Sequence, residues 1–135
     1  MYKRIAVAAI LFWPLLAVAD LQLVADTSLG QLQLDTDSVN RDGKYTKAVL
    51  VYRFKQQQRF SAPPKDVFDS RQDDVLIDCS GQALGIQKSR FFDKVRLVNT
   101  SARAVQDVRF KPSEPNTMVE TVVKAVCALT PTKQN

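Results

Sequence analysis

Two cysteines and no histidine constrain this chain more than anything else in its 135 residues. What the pair can do depends on where the chain ends up, and the start of the sequence speaks to that. MYKR is a short cationic opening, IAVAAILFWPLLAVA is an apolar run, and Ala17-Val18-Ala19 ahead of Asp20 is the small-x-small pattern cut by signal peptidase. A spanning helix needs about 20 consecutive apolar residues, and this run is shorter. A cleaved leader over residues 1–19 is therefore expected, followed by a single domain over residues 20–135, periplasmic or secreted to the cell surface. No cysteine stands at the end of the apolar run, so neither a membrane span nor a lipid anchor is expected. In an oxidising compartment Cys79 and Cys127 read as one disulfide. It would close a loop of about 49 residues, a constraint on the order of 4 kcal/mol by loop-closure entropy. Zinc is the competing use of the thiols, but a structural zinc takes four nitrogen or sulfur ligands.

Missing histidine also removes the usual nucleophile chemistry, because neither a Ser–His nor a Cys–His pair can be built. Only four glycines are present, and none forms a phosphate-binding loop. Carboxylates remain, at Asp73-Asp74, Asp35/Asp37 and Glu114/Glu120. A glycosidase needs two of them about 5 to 9 Å apart across a cleft. Adjacent residues of a strand point to opposite faces, so Asp73 and Asp74 read instead as a solvated strand entrance. The expectation is a non-enzyme without a cofactor or metal. Lys and Arg exceed Asp and Glu by 19 to 14, and loss of Lys3 and Arg4 with the leader lowers the net charge from +5 to +3. The remaining cations are scattered without interleaved aromatics, which argues against nucleic acid.

Strand signals dominate the rest. Leu21–Val24 and Gln31–Leu34 alternate polar and apolar residues about a turn at Ser28-Leu29-Gly30. Lys44–Phe54, Val75–Cys79, Leu84–Phe92, Val95–Val98 and Ala104–Phe110 bring the expected number to six or seven, with Asp93-Lys94 as a tight hairpin connection. Between them Lys55–Ser70, with Gln56-Gln57-Gln58 and Ala62-Pro63-Pro64, reads as a surface excursion. Pro112 and Pro115 precede one helix, which Thr117 and Glu120 open at the spacing of a capping box. Val119, Val122, Val123, Val126 and Cys127 then form a single apolar stripe. That stripe lets Cys127 pin the helix to the sheet through Cys79. The predicted fold is α+β, a small antiparallel sheet of about six strands with one C-terminal helix packed on it and tied by a disulfide.

The strings LDTDSVNRDGKYTKAVLVYRF, VLIDCSGQALGI and FKPSEPNTMVETVVKAVC resemble the surface-adhesin protein E family of bacterial envelope proteins. The shared pattern falls on Asp35, Ser38, Val39, Arg41 and Gly43, then on Asp78 and Cys79, then on Pro115, Thr117, Glu120, Val126 and Cys127. The resemblance implies an antiparallel sheet with a disulfide-held C-terminal helix. It also implies adhesion to host extracellular-matrix and plasma proteins, although those adhesins carry a lipid anchor. Two functions follow as expectations. One is an exported, adhesin-like binding protein that recognises a protein or glycan through loops on the sheet, with Arg53, Lys55, Arg59, Phe60 and Lys65 as candidate contacts. The same stretch also reads, and more readily, as a merely solvated loop. The other is a periplasmic accessory or inhibitor protein that acts on another envelope component.

Residues 35–43, DTDSVNRDG, carry the composition of a calcium loop. An EF-hand places oxygen ligands at positions 1, 3 and 5, Gly at 6 and Glu at 12. With Gly43 at position 6, position 12 falls on Val49, so the bidentate carboxylate is missing. The stretch reads instead as a connection, one turn of helix at Asp37–Asn40 and then an Asp42-Gly43 hairpin turn. Micromolar calcium should therefore leave the melting temperature unchanged; a marked rise on titration would restore the ligand loop.

Overall fold

The computed structural model of the protein describes residues 20–61 and 66–129; the expected leader over 1–19 and Ala62-Pro63-Pro64 lie outside the described residues. Strands β1 (Leu21–Asp26), β2 (Gly30–Asp42), β3 (Tyr45–Arg59), β4 (Val67–Asp78), β5 (Ala83–Asp93) and β6 (Arg96–Ala102) form one antiparallel meander in chain order. A short β7 (Phe110–Pro112) pairs with Ala83–Gly85 of β5, on the stretch that β6 leaves free, and α1 (Met118–Leu129) follows. Hairpins connect strands that are neighbours in sequence, so every β1-to-β6 pairing is local. Among the described residues no helix is long and apolar enough to cross a membrane.

Alternation decides which side of the sheet is buried. Leu32 and Leu34 of β2, Ala48, Leu50 and Tyr52 of β3, and Val75 and Ile77 of β4 share one face. Val122, Val123 and Val126 of α1 seal that face, each at most 2 % exposed. Full burial of a valine contributes roughly 1.5–3 kcal/mol relative to leaving it in water, which outweighs the modest helix propensity of a valine-rich segment. Thr117 caps the helix by accepting the Glu120 N–H at 3.3 Å, while the Glu120 carboxylate turns to Lys124, 3.4 Å away. Cys79, just past the end of β4, is bonded to Cys127 with Cα atoms 5.8 Å apart. The helix is thus held at one end by a covalent bond and along its length by the valine stripe.

Several sequence expectations are corrected. Asp37–Asn40 is not a turn of helix but part of β2, where the register with β3 slips between Asp35 and Asn40. Ser38 makes that bulge affordable: its hydroxyl donates to the Asp35 carbonyl at 2.6 Å and accepts the Val49 N–H at 2.8 Å. The hairpin loop that follows is Gly43-Lys44, with the left-handed φ of +60° on Gly43, the place a type II′ turn reserves for glycine. Lys55–Ser70 is not an excursion between strands. β3 runs on to Arg59 and β4 begins at Val67, so the stretch is the end of a long hairpin. Ala104–Phe110 is not a strand, since β6 already occupies the far half of β5. The chain makes a 3-10 turn at Val105–Asp107 before it reaches the free half as β7. Val95 belongs to the β5–β6 turn, 95 % exposed, and β6 starts one residue later.

Reducing the protein, or replacing both cysteines by serine, should lower its stability by about 3–4 kcal/mol. The measurement is thermal unfolding with and without reductant, and an unchanged melting temperature would mean that the valine stripe alone holds α1. Ser38→Ala should cost about 1–3 kcal/mol, because the Val49 N–H loses its acceptor inside the sheet.

Candidate binding site

The long hairpin of β3 and β4 is where the sequence placed its contacts. Arg53, Lys55 and Arg59 are all exposed along β3. Arg53 Nε donates to Gln33 at 3.1 Å and Lys55 lies 3.5 Å from Asp26. At this exposure such pairs contribute little stability, so the cations stay available to a ligand. Phe60 does not stand exposed among them. It packs on Phe68 and Phe91, with ring centroids 4.6 and 4.9 Å away, and Phe54 meets Phe68 at 5.5 Å. This aromatic cluster covers the sheet face beyond the reach of α1, with Phe60 half-buried within it. Lys65 lies outside the described residues. The structure therefore keeps three of the five predicted contacts together on one strand.

A second feature escaped the sequence. Between α1 and the aromatic cluster the core face opens into a groove of about 450 Å³. Its floor is apolar, with Leu32, Leu50, Val75 and Leu84. Ile86 and Met118 form part of its walls, 40 % and 39 % exposed. Four cations also line it, Arg71, Arg103, Arg109 and Lys111. Arg109 and Lys111 reach it because they alternate with Val108 and Phe110, which turn to the opposite face. There the Cγ1 of Val108 occupies the space that a side chain on Gly85 would need.

Among the described residues, the single carboxylate of the groove is Asp73, and here a further expectation fails. Asp73 and Asp74 are not a solvated strand entrance: they lie inside β4, and Asp73 is 4 % exposed. They do point to opposite faces. Asp74 takes a two-pronged contact from Arg90, at 3.1 and 2.9 Å. Asp73 accepts the Ser89 hydroxyl at 2.7 Å, and Arg71 Nε lies 3.1 Å from its other oxygen but off the line of a hydrogen bond. Arg71 also stands over the Tyr52 ring, 5.9 Å from its centroid. Burial pushes the Asp73 carboxyl above the usual aspartate range; Arg71 and Ser89 oppose this without cancelling it. The signal was present in the sequence as charged residues continuing the core-facing series Val75 and Ile77 back to Asp73 and Arg71.

The profile of the surface-adhesin protein E family matches residues 21–128. The chain belongs to the surface-adhesin protein E family. Its fold is also that of solved relatives. Protein E of Haemophilus influenzae in crystal form II aligns with a TM-score of 0.55 at 18 % identity, over 72 % of this chain and 80 % of that one. Protein E from non-typeable Haemophilus influenzae aligns with a TM-score of 0.55 at 14 % identity, over 78 % and 75 %. Among curated proteins no sequence matches. At these identities the likeness carries the fold alone.

Asp73 generates a pH prediction. Its carboxyl is raised in the folded state, so the native protein binds its proton more readily than the unfolded chain does. The charge therefore costs stability at neutral pH. The cost is relieved as the pH falls through the folded value towards the ordinary 3.8. Asp73→Asn should melt higher relative to wild type at pH 7 than at pH 4. A difference that does not change between the two would mean that the carboxyl titrates normally in the fold.

Proposed function

We propose that this member of the surface-adhesin protein E family is an exported, non-enzymatic binding protein of the bacterial envelope. It recognises a protein or glycan ligand through the β3–β4 hairpin, at the cell surface. The observation that carries this reading is the row of exposed cations Arg53, Lys55 and Arg59 along β3, on either side of and within the bulge where its register with β4 shifts. Aromatic packing fixes the strand from behind, so binding there costs little ordering of the backbone. A disulfide fits an oxidising location outside the cytoplasm. Family membership supports adhesion as the class of activity, and a host extracellular-matrix protein is the partner we propose with it. Within the groove, the Asp73 carboxylate is held by Ser89 and Arg71, which suits a structural charge better than a general base.

Protease shaving of intact cells tests the location: the reading requires the protein to be digested from outside. Recovery only in the periplasmic fraction would favour the accessory or inhibitor role instead. Binding of purified protein to immobilised matrix protein, and to a glycan array, tests the hairpin. Arg53→Glu, Lys55→Glu and Arg59→Glu together should weaken binding at least tenfold while the melting temperature stays within a few degrees. Undiminished binding would place the contact elsewhere.

A further inference from the structure

We propose that the groove between α1 and the aromatic cluster is a binding site for a small amphipathic anion, an unbranched alkyl carboxylate of medium length. The site is separate from the cationic strand: Arg53 and Lys55 alternate with Phe54 and so face away from it.

Three properties of the groove select this chemistry. Its volume of about 450 Å³ falls in the range of about 300–1,000 Å³ that holds small ligands. It is too small for a folded partner. Its apolar surface is left open, since Ile86 and Met118 stand 40 % and 39 % exposed at its walls. An apolar body seated in the groove would cover both, whereas a sugar would find few hydrogen-bonding groups on the floor of Leu32, Leu50 and Val75.

Charge decides the rest. Arg71 is committed to Asp73. Among the described residues, no carboxylate lies within ion-pair distance of Arg103, Arg109 or Lys111. The three come from the segment between β6 and α1, and all of them line the groove. Uncompensated cations beside an apolar floor favour a ligand that is negative at one end and apolar along the rest. They disfavour a cationic amphiphile of the same length by direct repulsion.

The test is calorimetric titration of the exported chain, residues 20–135, with decanoate below its micelle-forming concentration. Decyltrimethylammonium serves as the cationic control of equal chain length. Decanoate should bind with one-to-one stoichiometry and at least tenfold more tightly than the cation. Arg103→Glu, Arg109→Glu and Lys111→Glu together should remove that preference, and Ile86→Asp should abolish decanoate binding. All three positions of the triple variant are exposed, and its melting temperature reports whether the fold persists. The Arg53, Lys55 and Arg59 reversal should leave decanoate binding unchanged, which separates this site from the adhesive one. Equal affinity for the two amphiphiles, or decanoate binding that survives both groove variants, would overturn the proposal.

Discussion

The contact between the valine stripe of α1 and the core face of the sheet is what the remaining structure depends on. A meander of hairpins has one face to bury and, by itself, nothing to bury it against. Val122, Val123 and Val126 cover Leu32, Leu34 and Leu50, and the Cys79–Cys127 bond keeps that cover in place. The two devices complement each other. Packing supplies most of the favourable free energy, while the covalent link limits how far the unfolded chain can separate a short helix from its sheet.

A helix of twelve residues cannot cover strands as long as β3 and β4, and the protein completes the face in another way. At the hairpin end Phe54, Phe60, Phe68 and Phe91 pack on one another. Between the two covers the groove is left. Arg71 and Asp73 sit there because the core-facing alternation of β4 carries on past the last residue that α1 can shield. A carboxylate in that position is tolerated only with partners, which Ser89 and Arg71 provide. Each of the two proposed binding surfaces follows from this division: the aromatic packing backs the strand that carries the exposed cations, and incomplete helical cover leaves an apolar floor open beside basic side chains.

Irregularities of the sheet do specific work in this arrangement. The bulge at Asp35–Asn40 is held by Ser38, and Ser38 lies in the corner where resemblance to the family is densest. Asp78 turns the chain after β4 by accepting the Gly81 N–H at 2.9 Å, which places the neighbouring Cys79 for its bond. These family residues are therefore explained by backbone geometry. Neither Ser38 nor Asp78 lines the groove or bonds to the side chain of Arg53, Lys55 or Arg59.

The sequence by itself determined the frame of the protein. Period-two and period-three-to-four hydrophobic patterns identified most strands and the helix, the cysteine pair identified the bond between them, and the family was legible from local strings. These are properties of residues near one another in the chain, or of a pair with no other use. Only the tertiary structure decided how the elements share a face. The fate of Phe60, the burial of Asp73, the break at Val105–Asp107 and the meeting of Arg71 with Arg103, Arg109 and Lys111 all depend on which strand already occupies an edge and how far α1 reaches. Such questions are settled by competition for space between distant segments, and local pattern carries no record of that competition.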